Sequence, residues 1–180
     1  MPNSALIVID VQESFRHRPF WSESDLPAYL AAQQALIDGC AARGIAIVQV
    51  FHVSQGPFAL DSGHVRTLDG LSITPDLIVH KRHHSVFAGT DLAAWLIARG
   101  IKKLLVSGIR TEQCCETTTR YASDTGYQVD FVTEATLTFP LTHAQSGRTY
   151  SAQEIRAHTE LVLADRFARI VTVAGALATD

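Results

Sequence analysis

Cysteine is scarce in this chain: there are three, Cys40, Cys114 and Cys115, and two of them are adjacent. Neighbouring cysteines are poorly placed to bridge each other and an odd count leaves one over, so a disulfide framework is not what holds the fold. Reduced thiols in a cytosolic chain serve packing, metal binding or catalysis. Positive charge is not abundant either. Fifteen Lys and Arg stand against 18 Asp and Glu, for a net charge of -3. The cations are scattered and form no stripe that could neutralise phosphates, which argues against nucleic acid as a partner. No apolar run approaches membrane-spanning length, and Met1 leads into the apolar stretch 5–9 without a basic segment or a small-residue cleavage site. The expectation is a cytoplasmic protein with no membrane partner. Internal repeats and low-complexity tracts are absent as well.

What the chain does have is apolar material, 47% of its 180 residues. That length suits one domain over residues 1–180, burying roughly 70% of the surface the unfolded chain exposes. Apolar, β-branched runs alternate with longer helical stretches, which predicts a parallel sheet with helices on its faces. Strands are expected at 5–10, 45–53, 76–80, 103–109, 129–133 and 169–173. Helices are expected at 28–43 after a start at Asp25 and Pro27, from Thr90 to Gly100, from about Thr111 to Gly126, and from Ser151 towards Phe167. Residues 60–75 and 139–150 are richer in Gly, Pro, Ser and Thr and read as loops that could cover a site.

Open α/β sheets bind ligands beyond the carboxyl ends of their strands. Three reactive side chains fall there: Asp10 after the first strand, Lys81 after the third, and Cys114 at the start of the helix after the fourth. Singly, each has an ordinary explanation as a turn residue, a solvated cation or a small buried side chain. Together they supply what a thiol nucleophile needs. A free cysteine has a pKa near 8.5, and a helix N-terminus with a nearby Lys lowers it to roughly 3.5–7.5. Thr111 would cap that terminus, Cys114 would sit in its first turn with its thiolate populated, Asp10 would shuttle protons, and Lys81 would stabilise the charges.

These residues sit within a series of motifs: 6–12 (LIVIDVQ), Lys81 with 85–92 (SVFAGTDL), 108–115 (GIRTEQCC), Gly126-Tyr127 and 134–136 (EAT). In this order and spacing the chain resembles the isochorismatase-like cysteine hydrolase superfamily. The resemblance implies a three-layer α/β/α sandwich with a six-stranded parallel sheet and a triad mapping onto Asp10, Lys81 and Cys114. It also implies a cis peptide between Ile109 and Arg110, and an oxyanion hole from the backbone N–H groups of Arg110 and Cys114. Nicotinamidase-like members hold a metal through an Asp-x-His pair; here Val50 stands two residues before His52, so no metal is expected. Asp61 with His64, and His80 with His83 and His84, read as exposed loop side chains. Arg110 is bulkier than the small residue many relatives carry there, which points towards an anionic substrate group. Isochorismatase itself cleaves a vinyl ether without needing a cysteine nucleophile, so Cys114 argues against that reaction.

The expected function is hydrolysis of a C–N bond in a small amide or carbamoyl-type substrate through a thioester on Cys114. No cofactor is required. Phe15, Trp21, His52 and Ile109 are expected as substrate-pocket walls, and Cys40 and Cys115 as core residues. A homo-oligomer is expected from the resemblance. Two other classes remain open at this point: a thiol redox sensor using Cys114, and a non-catalytic oligomeric binding module of the same fold.

Overall fold

The computed structural model describes residues 3–178. In chain order the strands are β1 (Ser4–Ile9), β2 (Ala46–His52), β3 (Leu77–Lys81), β4 (Lys103–Ile109), β5 (Gln128–Leu137), β6 (Leu141–Thr142), β7 (Thr149–Tyr150) and β8 (Arg169–Val171). The α-helices are α1 (Leu26–Ala42), α2 (Leu92–Ala98), α3 (Glu116–Asp124), α4 (Ala152–Leu163) and α5 (Val173–Ala178). Six strands form one sheet in the order β3-β2-β1-β4-β5-β8, with every neighbouring pair parallel.

Helices cover both faces, giving the expected three layers. Alternation along β1 shows how. Ala5, Ile7 and Ile9 face a core shared with Leu92 and Leu96 of α2, Ala122 of α3 and Leu163 of α4. Leu6 and Val8 face the opposite core, shared with Leu36 and Ile37 of α1 and Ala176 of α5. A strand buried on both sides needs apolar residues at every position, and for that reason β1 is a continuous apolar run.

Helix α1 ends where the sequence predicts. Gly44 takes φ +65°, and the Ile45 amide then donates back to the Cys40 carbonyl at 3.0 Å. This left-handed cap turns the chain so that Ile45 drops into the core and starts β2. The same backward bond recurs from Ile101 to Leu96 and from Tyr127 to Ala122, each at 3.0 Å. At the start of α4, Ser151 and Glu154 form a reciprocal capping box.

Several expectations need correction. Strand β5 runs to Leu137 because an irregularity between Val106 and Gly108 shifts the register and lets Thr136 and Leu137 pair with Gly108 and Ile109. Strand β8 stops at Val171 and its apolar continuation is helix α5. The segment 139–150 contains the antiparallel pair β6–β7. Asp25 does precede α1, but its side chain makes no capping bond and instead accepts from Arg156 Nη1 at 3.1 Å. Among the described residues no helix is long and apolar enough to cross a membrane.

Candidate active site

The strand order reverses between β1 and β4, and a crevice opens at the carboxyl ends of such a pair. Gly108 of β4 makes the pair unusually close. A Cβ there would lie 2.0 Å from the Ile9 carbonyl oxygen, and the residue holds φ +126°, so both the space and the backbone require glycine. Directly beyond, Asp10 follows β1 at φ +53° while its amide donates to the Val50 carbonyl at 2.9 Å. A non-glycine residue in the left-handed region is uncommon, least so for Asp and Asn. Here it turns the carboxylate inward.

Lys81 arrives from farther away. It is the last residue of β3, opposite His52 of β2, and its ammonium crosses β2 to reach β1. Nζ donates to Asp10 Oδ2 at 2.7 Å, Cys114 Sγ at 3.3 Å and the His83 carbonyl at 3.1 Å. His52 Nδ1 stands 3.3 Å from the same nitrogen. Cys114 lies in a π-helical turn, Thr111–Cys115, that leads into α3. Arg110 occupies the cap position and Thr111 is the first residue of the turn. Thr111 is therefore not the N-cap; its hydroxyl donates to Thr136 Oγ1 at 2.8 Å. The Ile109–Arg110 peptide is cis, as the resemblance implies.

The electrostatics differ from the expected low-pKa thiol. Burial pushes the Cys114 thiol up to about 12, the Asp10 charge adds to this, and Lys81 only partly opposes both. Burial also raises the Asp10 carboxyl against the pull of Lys81. Burial alone would lower Lys81, but the charges of Asp10 and Cys114 outweigh it and hold the ammonium above its ordinary value. The resting site thus pairs a protonated thiol with a carboxylate that is a stronger base than usual. His52 is pushed down to about 4, first by burial and then by the charge of Lys81. It is a neutral ring near neutral pH.

Asp10, Cys114, Phe15 and His52 line a cleft of about 350 Å³, small within the usual range for ligand sites. Two expected wall residues do not. Ile109 is wholly buried in the core on the α1 side, because its side chain continues the inward alternation of β4. Trp21 is not among the cleft-lining residues; it packs on Phe139 with centroids 5.3 Å apart and beneath Arg16 at 5.4 Å. The lining includes residues that the sequence reading passed over, among them Phe20, Phe58, Gln55 and Gln113. Phe58 meets Phe15 edge-on at 5.1 Å and His52 at 5.9 Å. Gln12 organises this region. Its amide donates to the His52 carbonyl at 3.1 Å and accepts from the His52 N–H at 2.8 Å, standing in for a peptide unit between β1 and β2.

The other histidines are dispersed. His64 packs against His17 with the rings tilted and centroids 3.9 Å apart, His80 stacks on Phe51 at 5.8 Å, and His84 lines the cleft. The metal pair of nicotinamidase-like members does not fit this chain, since Val50 is wholly buried in the apolar core. Cys40 and Cys115 are also fully buried; neither offers Cys114 an accessible partner thiol.

Comparison with known proteins identifies the family of the chain. The family model "Isochorismatase domain" matches residues 4–173. The uncharacterized isochorismatase family protein YrdC of Bacillus subtilis (strain 168) is 26% identical over 172 residues, 93% of this chain and 91% of its own. Nicotinamidase 3 of Arabidopsis thaliana is 31% identical over 158 residues, 77% of this chain and 76% of its own. A crystal structure from Burkholderia xenovorans LB400, grouped with the isochorismatases, superposes with a TM-score of 0.88 at 34% identity. That match covers 98% of this chain and 86% of the other.

Proposed function

Since the chain belongs to the isochorismatase-like cysteine hydrolase superfamily and is a hydrolase, we propose that it cleaves a C–N bond in a small amide or carbamoyl-type substrate through a thioester on Cys114. One observation carries this reading: the Lys81 ammonium is at once 2.7 Å from Asp10 Oδ2 and 3.3 Å from Cys114 Sγ. A single cation thereby binds a base and a nucleophile into one electrostatic unit. The kinship with a plant nicotinamidase favours an amide as the scissile group.

The reaction begins with a thiol. As Sγ attacks the substrate carbonyl, its proton passes to Asp10, whose Oδ1 is buried and without a hydrogen-bond partner. The raised basicity of this carboxyl suits the transfer. The tetrahedral oxyanion is held by the backbone N–H groups of Arg110 and Cys114. Asp10 returns the proton to the departing amine, the C–N bond breaks, and the acyl group remains on sulfur. Asp10 then takes a proton from water, whose oxygen attacks the thioester; the C–S bond breaks, Asp10 passes the proton to sulfur to restore the Cys114 thiol, and a carboxylic or carbamic acid is released. Lys81 keeps Asp10 oriented and offsets the charge that builds on sulfur.

The test is a screen of small amides for ammonia or amine release, with Cys114→Ala as control and intact-protein mass spectrometry to trap the acyl-enzyme. Release that depends on Cys114, with a matching mass increase, supports the mechanism. Turnover by Cys114→Ala would refute it, and Asp10→Asn should be inactive while remaining folded.

A further inference from the structure

Arg110 has a buried guanidinium on the wall of the cleft, and the mechanism uses only the backbone of this residue. The residue is 5% exposed and lines the same cleft as Cys114. Its guanidinium lies over the ring of Phe20 at 4.7 Å and near that of Phe139 at 5.8 Å. Nη2 is 2.9 Å from Glu112 Oε1, yet neither atom is aligned for a hydrogen bond, and Nε has no partner. Glu112 is itself held elsewhere, accepting from Thr138 Oγ1 at 2.5 Å through its other oxygen.

The ion pair with Glu112 offsets part of the guanidinium's charge, but a buried N–H without an acceptor still carries a desolvation cost, because the water it gave up has not been replaced. The planar fork of Arg110 pairs bidentately with a carboxylate or a phosphate, and the carboxylate is the smaller of the two for a cleft of about 350 Å³. Rings can hold the cation in place but accept none of its N–H bonds. At the rim, Arg18 adds a second cation to the lining, which raises the local concentration of anions. Between Arg110 and His52 the wall is aromatic, formed by Phe15, Phe20 and Phe58.

From this geometry we infer that Arg110 is the specificity-determining residue of the cleft and that the substrate is a small carboxamide bearing a carboxylate, which Arg110 receives while the amide faces Cys114. This rests on the amide-hydrolase reading, and deepens it by adding a charge to the substrate. Arg110 selects by rewarding the anion and by leaving its own donors unmet when a neutral analogue binds.

The test uses the full chain and two acid–ester pairs, succinamate and 4-carbamoylbenzoate with their methyl esters. Wild-type kcat/KM should favour each acid over its ester by about tenfold to hundredfold, the range for a charged hydrogen bond. Arg110→Gln should abolish that preference, read as the ratio of kcat/KM for acid and ester within each variant whatever its absolute rate, and Arg110→Lys should restore part of it. Glu112→Gln, which removes the competing anion and keeps a group for Thr138, should widen the preference. In a parallel thermal-shift measurement the acids should stabilise wild type more than the esters do, and this difference should vanish in Arg110→Gln. Amide cleavage blind to charge overturns the role of Arg110 and leaves the hydrolase reading intact. Acid-specific stabilisation without cleavage of any amide leaves the role of Arg110 and removes the hydrolase reading. No distinction between acid and ester in either rate or stabilisation overturns the inference.

Discussion

Lys81 Nζ and Asp10 Oδ2 are 2.7 Å apart, and both side chains are wholly excluded from solvent. Breaking a buried ion pair by removing one partner is expensive, because it strands the other charge, at about 3–5 kcal/mol. Lys81→Met should therefore lose stability of that order in denaturant titrations, along with nearly all activity. The double variant Lys81→Met with Asp10→Asn should regain much of the stability and none of the turnover. Near-normal activity in Lys81→Met would remove this residue from the mechanism.

Reactivity of the thiols follows from the elevated Cys114. Iodoacetamide should modify Cys114 ahead of Cys115 and Cys40, since of the three only Cys114 lines the cleft and the others are fully buried. Its rate should still be climbing above pH 8, with no plateau near neutrality, because burial and the Asp10 charge hold the proton on sulfur. Asp10→Asn removes one of those two causes. That variant should be labelled faster at pH 7 than wild type while being catalytically dead, as read by peptide mass spectrometry across a pH series. Slower labelling in Asp10→Asn would show that Asp10 does not raise the thiol.

His52 makes stability pH-dependent in a defined window. Its folded pKa, about 4, lies below the ordinary value near 6.5, so the unfolded chain takes up this proton first. The associated stability is complete above about pH 6.5 and declines as pH falls towards the folded value. Urea midpoints measured between pH 7.5 and pH 4.5 should fall more steeply for wild type than for His52→Gln. Equal slopes would mean that the ring is not held neutral.

Gly108→Ala tests the approach of β1 to β4. With a Cβ placed 2.0 Å from the Ile9 carbonyl oxygen, one strand must move, at a cost of about 3 kcal/mol or more. Activity should fall beyond what stability explains, because Asp10 follows Ile9 directly. A stable, active Gly108→Ala protein would show that the pair has room to spare.

Much of this was legible in the chain, for identifiable reasons. Strands buried on both faces must be apolar throughout, so β1 and β4 stand out as runs, and Asp10 and the adjacent pair Cys114 and Cys115 follow from where those runs stop; the family resemblance, not the periodicity, singles out Cys114. The helix ends at Gly44, Gly100 and Gly126 were legible because left-handed caps favour glycine. The aromatic wall was not. Phe20 and Phe58 belong to connecting segments whose path depends on tertiary pairing, such as the Glu13 and Ser14 amides donating to the Arg66 and His64 carbonyls at 3.0 Å. The thiol's raised pKa was equally invisible, since it depends on burial and on the Asp10 charge more than on the neighbouring helix. Strands β6 and β7 have two residues each, too few to show any period.

Lys81 is carried by an edge strand, and its backbone carbonyl accepts from the Val53 amide at 2.8 Å. A slip of β3 by one residue would turn its side chains to the opposite faces and bring His80 or Arg82 to the point where the ammonium now stands. The sheet could survive such a slip while the site could not. Catalysis thus serves as a gauge of strand alignment: a protein with β3 shifted along β2 would keep its circular dichroism and its cysteines and lose its turnover.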